Sequence, residues 1–136
     1  SHLTVIYIKQ LLGRVSAHCG CVIAATGSAC GITYLMGGDY NHVCYAIKNQ
    51  IAALTGMVCD GAKPSCSLKI SSAVSSAFQA ALLSMDNISV SSNDGIIEQD
   101  VDKSIRNLAV IGRDAMHEVD NIVLKIMVNK DNPSCE

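Results

Sequence analysis

Residues 21–36 read Cys-Val-Ile-Ala-Ala-Thr-Gly-Ser-Ala-Cys-Gly-Ile-Thr-Tyr-Leu-Met, inside a stretch that carries no formal charge between Arg14 and Asp39. At about 1.5 Å per residue that stretch is long enough to cross a bilayer. Its large apolar residues are few, however: Val22, Ile23, Ile32, Leu35 and Met36. Ala, Gly, Ser, Thr and Cys fill the rest. Side chains of that size gain little from lipid and much from close packing against protein. The stretch therefore reads as a buried central helix, with Ala25, Gly27, Ala29 and Gly31 letting neighbouring backbones approach.

Working outward, the apolar positions keep helical spacing on both sides. Leu3, Ile6, Leu11, Leu12 and Val15 predict a helix over about residues 3–18. It starts abruptly without a convincing cap, as in a piece cut from a longer protein or at a tightly engineered boundary. Gly20 interrupts before the central helix, and Gly37-Gly38-Asp39 supplies a stop followed by an N-cap. A third helix is expected over about 40–55, on Val43, Ala46, Ile47, Ile51 and Leu54. Met57–Pro64 reads as irregular, broken by Gly61 and Pro64. Ser65 is a candidate cap for a fourth helix over about 66–85, which has no charge after Lys69. A polar loop at 86–98 precedes helices over about 99–113 and 118–129, and Asp131–Glu136 reads as a flexible tail. No repeat, low-complexity segment or strand pattern appears. The expected fold is all-α: a compact bundle of about five to six helices in one domain, residues 1–130, around a small-residue centre.

The composition agrees. A chain of 136 residues suits one core, and 49% hydrophobic against 16% charged residues makes it richer in core than in surface. With 4% aromatic residues, no Trp and one Phe, that core is aliphatic and packed at short range, which favours helix on helix. A mean hydropathy of +0.31 leaves apolar surface to meet another domain or a second copy in a homo-oligomer. A net charge of −2 without a Lys/Arg cluster gives no footprint for nucleic acid or an anionic membrane. No secretory signal is visible at the N-terminus. Seven cysteines are about one residue in twenty, too sparse for a disulfide scaffold, and their number is odd. Together these point to a reducing, cytoplasmic setting in which thiols are kept for metal or chemistry.

Cys19 and Cys21 fall where one expected helix ends and the next begins, and Cys59 and Cys66 flank the start of the fourth. Two helix N-termini would then direct partial positive charge at one cysteine set, lowering thiol pKa values and favouring an anionic cluster. The spacings Cys-x-Cys and Cys-x6-Cys match neither zinc fingers nor ferredoxins. Cysteine is also a common small core residue. The residues alone therefore leave three readings open: a metal site, a zinc staple on Cys19, Cys21, Cys59 and Cys66 in a non-catalytic module, and core filler in a structural helical domain. Cys30 and Cys44 lie mid-helix among apolar neighbours and read as core.

Three blocks add a family likeness: Ser16-Ala17-His18-Cys19-Gly20-Cys21-Val22-Ile23-Ala24-Ala25 with Ala29-Cys30-Gly31-Ile32; Met57-Val58-Cys59-Asp60-Gly61-Ala62-Lys63-Pro64-Ser65-Cys66-Ser67-Leu68-Lys69; and Asp94-Gly95-Ile96. They resemble the iron–sulfur L-serine dehydratase alpha-chain superfamily, in the branch that contains L-cysteine desulfidases. The likeness runs from about Leu3 to Met127. It implies a [4Fe-4S] cluster, readily lost in air, on Cys19, Cys59 and Cys66, with Cys21 as the substitute. It also implies one iron left open to a small amino-acid substrate. The reaction implied is α,β-elimination: serine to pyruvate and ammonia, or cysteine to pyruvate, ammonia and sulfide. Family members are longer and carry an N-terminal Ser/Gly/Asn-rich motif resembling SGSGNQG, which does not occur here. The resemblance therefore covers the C-terminal, cluster-binding portion, expected to be inactive alone, with the N-terminal portion as its partner.

Near these cysteines, His18 is a candidate catalytic base, or else a histidine held at a helix C-terminus by the dipole. Lys63 and Lys69 are candidates to bind a substrate carboxylate or offset the cluster's charge, or else are solvated, with Asp60 paired to Lys63. Ser72, Ser76 and Gln79 make a polar stripe that either lines a pocket or packs. Cys135 lies in the tail.

Overall fold

The architecture comes from a computed structural model that describes residues 1–13 and 17–130. Six α-helices follow in order: α1 (His2–Leu12), α2 (Gly20–Leu35), α3 (Tyr40–Leu54), α4 (Cys66–Met85), α5 (Val101–Val110) and α6 (Met116–Val128). One π-helical turn, Ile111–Ala115, joins the last two. The strand-like pairing among the described residues is a single antiparallel bridge between His18 and Val58. The fold is all-α, as expected, and no described helix is long and apolar enough to cross a membrane.

The uncharged stretch is the central helix. α2 packs against α1, α3 and α4. Its two buried threonines satisfy their hydroxyls within the helix: Thr26 Oγ1 donates to Val22 O and Thr33 Oγ1 to Ala29 O, both at 2.8 Å. The helix separates two cores of different texture. On one side Ile23 and Cys30 join Ile8, Leu12, Ile47, Ile51, Ile105 and Leu108 in an aliphatic cluster. On the other, Ala25 and Ala29 meet Ala46 of α3 and Ala73, Ala77 and Ala80 of α4. Alanine against alanine lets three helix backbones approach more closely than leucines would allow. Cys30 is buried in the first cluster and Cys44 packs at its edge, as their mid-helix positions predict.

Gly27 shows how close that approach is. A Cβ placed there would stand 2.6 Å from Val5 Cγ2 and 2.7 Å from the Ser1 carbonyl oxygen of α1's first turn. Gly27→Ala should therefore destabilise the fold by about 1–3 kcal/mol, through displacement of α1. A denaturant titration that left the midpoint unmoved would show that α1 shifts without cost.

Four boundaries differ from expectation. The first helix stops at Leu12 because Gly13 takes φ +90, in the left-handed region that L-residues avoid. Val15, assigned to that helix from its spacing, lies outside the described residues. Gly20 does not interrupt; it is the first residue of α2, with Cys19 at the N-cap. Asp100 accepts from Asp102 N at 2.9 Å and starts the fifth helix at Val101. The break expected before the sixth is bridged by the π turn.

Other features hold. α4 spans the expected 66–85, although Ser65 makes no side-chain cap; instead Cys66 N donates to Lys63 O at 2.9 Å. Asp39 caps α3 reciprocally with His42: Asp39 Oδ1 accepts from His42 N at 3.1 Å, and Asp39 N donates to His42 Nδ1 at 3.2 Å. The polar loop is pinned to α3 through Asn49, whose amide donates to Ile88 O and accepts from Val90 N, each at 2.9 Å. Apolar surface is left over, as the composition requires. α4 turns Ile70, Val74, Phe78 and Leu82 outward at four-residue spacing, each about half exposed.

Candidate cysteine site

Two short segments some forty residues apart form the floor of the site. Cys19 N donates to Met57 O at 3.0 Å, and Cys59 N donates to Ala17 O at 2.6 Å, on either side of the His18–Val58 bridge. This pairing sets the start of α2 beside the residues that follow α3. The chain then turns through Gly61 at φ +92 and enters α4 at Cys66, whose thiol donates to Gly61 O at 3.5 Å. Cys19 at the cap of α2 and Cys66 at the first position of α4 thus both stand at helix N-termini, as expected.

Cys21 belongs to the same group. Its thiol lies close enough to those of Cys19 and Cys66 to feel both. Burial first, and the Cys19 thiol second, raise its pKa, the opposite of the lowering expected of the set. The described cysteines are all free thiols, and Cys19 is buried while Cys21, Cys59 and Cys66 are partly exposed. Among the described residues, no three His, Cys, Asp or Glu side chains converge closely enough to hold a single metal ion.

Beside the thiols lies a small ionic knot centred on Asp60. Its carboxylate pairs with both Lys63 and Lys69, and those two ammonium groups, Lys63 first, hold it well below the usual carboxylate range. Lys63 also donates to Asp60 O at 3.2 Å, so it is engaged by Asp60, as its paired reading anticipated. Lys69 donates to Val58 O at 2.8 Å as well. Asp60 as the centre of this knot was missed by sequence reasoning. The available signal was its spacing, three residues before Lys63 and nine before Lys69.

His18 is 4% exposed, and it sits in the bridge, just before the N-cap of α2, rather than at a helix C-terminus, since α1 stops at Leu12. The dipole account of it is therefore wrong. Burial first, and Lys9 second, lower its pKa from the ordinary 6.5. Below about pH 6.5 the unfolded chain consequently binds a proton that the folded chain resists, so stability is present above that pH and declines as pH falls through it. Melting curves between about pH 7.5 and 5 should show this decline, and His18→Gln should flatten it. An unchanged slope in His18→Gln would mean another group is responsible.

Two cavities flank α4. One of about 650 Å³ lies between α2 and α4 and is apolar, with Cys21, Ala24, Ile70 and Val74 among its walls. The other, about 330 Å³, is lined by Ser76 and Gln79 together with Asn49 and Val90. The polar stripe thus does line a pocket in part, away from the cysteines. Ser72 does not join it and bonds to Leu68 O of its own helix. Ser76 also donates to the fully buried Gln50 Oε1 at 3.0 Å. Cys135 and the tail lie outside the described residues.

The model of the serine dehydratase alpha chain family matches residues 1–125. The chain belongs to that family. Within it, a UPF0597 protein of Bacteroides thetaiotaomicron is 63% identical over 130 residues, covering 96% of this chain and 30% of the relative. A UPF0597 protein of Phocaeicola vulgatus is 64% identical and one of Oleidesulfovibrio alaskensis 48%, with the same coverage. The chain therefore spans less than a third of the length of the curated relatives it matches. No solved structure matches it. The resemblance carried by the cysteine blocks thus holds at the level of the serine dehydratase alpha chain family.

Proposed function

We propose that Cys19, Cys59 and Cys66 hold a [4Fe-4S] cluster, and that the chain is the cluster-binding part of a cytoplasmic lyase acting on L-serine or L-cysteine. The observation that carries this reading is the pairing of residues 17–19 with 57–59. It sets Cys19, at the N-terminus of α2, beside the segment of Cys59, seven residues before Cys66 opens α4. The donor set suits the group, being soft thiols, Cys59 and Cys66 partly exposed, with Lys69 alongside. A cluster also asks for less convergence than zinc. Each thiolate would bind a different iron, whereas four sulfurs on one zinc stand roughly 3.8 Å apart, given Zn–S bonds of about 2.3 Å. With three protein ligands, the bound cluster would supply a Lewis-acid position for the departing hydroxyl or thiol of the substrate.

The chain's own residues have separable parts in this scheme. Cys19 and Cys66 stand at the N-termini of α2 and α4, whose positive ends suit an anionic cluster. Cys21, beside Cys19, is the substitute ligand. Lys63, the more exposed of the two lysines, is placed to meet a substrate carboxylate if Asp60 releases it. His18 is the candidate acceptor of the α-proton, its burial keeping the imidazole in the neutral form a base requires. The remaining two-thirds or more of the relatives' length is the proposed partner, contributing substrate recognition, and the outward apolar side chains of α4 are available to such contacts.

Iron and sulfide reconstitution without oxygen tests the first part: four irons per chain with a brown chromophore support it, and one stoichiometric zinc would replace it with a structural module. For catalysis, the chain is mixed with the remaining portion of the Bacteroides thetaiotaomicron relative. Pyruvate is then assayed from serine and from cysteine, and sulfide from cysteine. A loaded cluster without pyruvate from either substrate would confine the role to metal binding.

A further inference from the structure

Lys69 does more than neutralise Asp60. It lies in the first turn of α4, three residues after Cys66, so the two side chains share a face of that helix. Its Nζ donates to Val58 O at 2.8 Å and to the Asp60 carboxylate, which are the residues on either side of Cys59. Val58 is in turn the bridge partner of His18, the neighbour of Cys19. One ammonium group therefore ties the Cys66 helix to the Cys59 strand and, through the bridge, to the Cys19 segment. The Lys69 side chain is 24% exposed, less than that of the Asp60 it meets. Lys63 has no comparable reach. Among the described residues its side chain bonds only to Asp60, and it is 36% exposed.

We propose that Lys69 is a positioning residue for the thiolate set, holding the Cys59 strand against the Cys66 helix and placing a positive charge beside the cysteines. The charge role rests on Cys19, Cys59 and Cys66 being cluster ligands; the mechanical tie between strand and helix does not. Asp60 foremost, then Cys19 and Cys59, keep the ammonium charged by raising its pKa. A carbonyl and a carboxylate on opposite sides of one cysteine also fix that residue's backbone more firmly than either would alone.

The test compares the chain with Lys69→Met, Lys69→Arg and Lys63→Met. Methionine keeps most of the stem and removes the donor and the charge, while arginine keeps both in a different shape. In the metal-free chain, amide hydrogen exchange reads the two bonds of the bridge, Cys59 N to Ala17 O and Cys19 N to Met57 O. Lys69→Met should accelerate both by at least about tenfold while α3 amides are unchanged. Lys69→Arg should stay within about threefold of the parent, and Lys63→Met should match it. Unchanged exchange in Lys69→Met overturns the positioning role, whatever the metal content. If Lys69→Met does not fold, Asp60→Asn takes its place, keeping the Val58 bond and weakening the other; no acceleration there overturns the role equally.

Reconstituted with iron and sulfide, Lys69→Met should lose its cluster to a chelator at least about tenfold faster than the parent. Its reduction potential should also be more negative, because a nearby cation favours the reduced, more negative cluster. Equal retention and an unmoved potential overturn the charge role alone. A parent chain that takes up no cluster overturns the ligand reading, and the exchange rates still decide whether Lys69 positions the strand.

Discussion

Reconstituted with iron and sulfide in the absence of oxygen, Cys59→Ala and Cys66→Ala will take up no stable four-iron cluster, while Cys30→Ala will load like the parent chain. The difference follows from where the three sulfurs stand. Cys59 follows the short bridge, its N bonded to Ala17 O, and Cys66 opens α4 with its thiol turned to Gly61 O, so both stand in the segments the proposed cluster would join. Cys30 is 4% exposed in the aliphatic cluster, with burial raising its thiol pKa, so it is a neutral core group. Removing one of three thiolates leaves a cluster held by two, and metal affinity at such sites depends on the full ligand count. Cys19→Ala and Cys21→Ala separate the remaining alternatives, since only the true ligand will abolish loading. Iron content and the visible spectrum check the series. Equal loss in Cys59→Ala, Cys66→Ala and Cys30→Ala would trace the effect to the fold and sink the ligand assignment.

Leu108→Ala will have the largest effect on stability, about 2–5 kcal/mol in a denaturant titration followed by circular dichroism. Leu108 is fully buried, and it packs in the cluster that joins α1, α3 and α5 to one side of α2. Small domains have only about 5–15 kcal/mol in total, so the variant gives up a large share of it. The cost has two parts, the lost transfer energy of the side chain and the cavity it leaves. The alanine packing between α2 and α4 lies on the other side of α2, so cluster loading per folded chain should survive at low temperature. A loss below about 1 kcal/mol would mean that the helices close over the cavity.

Much of the fold was legible because helices declare themselves locally. α4 could be bounded at 66–85 from Pro64 before it and the polar residues after Met85, and the structure agrees. Asp39 after two glycines marked the start of α3 for the same reason, since a cap needs only residues within one turn. The end of α1 was not legible. Leu11, Leu12 and Val15 continue the apolar spacing, and periodicity cannot report that Gly13 adopts a left-handed backbone. The π turn was equally hidden, because one extra residue in a helical turn leaves the composition of Ile111–Ala115 unremarkable.

At the site, the cysteine blocks named the candidates Cys19, Cys21, Cys59 and Cys66, but their spacing said nothing of how they meet. The sequence by itself determined an all-helical chain around a charge-free, small-residue centre, because residue size and period act over one or two turns. It also carried the family likeness. The tertiary structure alone decided that residues 17–19 pair with 57–59 and that Lys69 reaches Val58 and Asp60. It decided, too, that His18 is buried in a bridge and not held at a helix C-terminus. These contacts join positions up to about forty residues apart, and no local pattern encodes them: they form when α2, α3 and α4 pack through their alanines and bring their ends together.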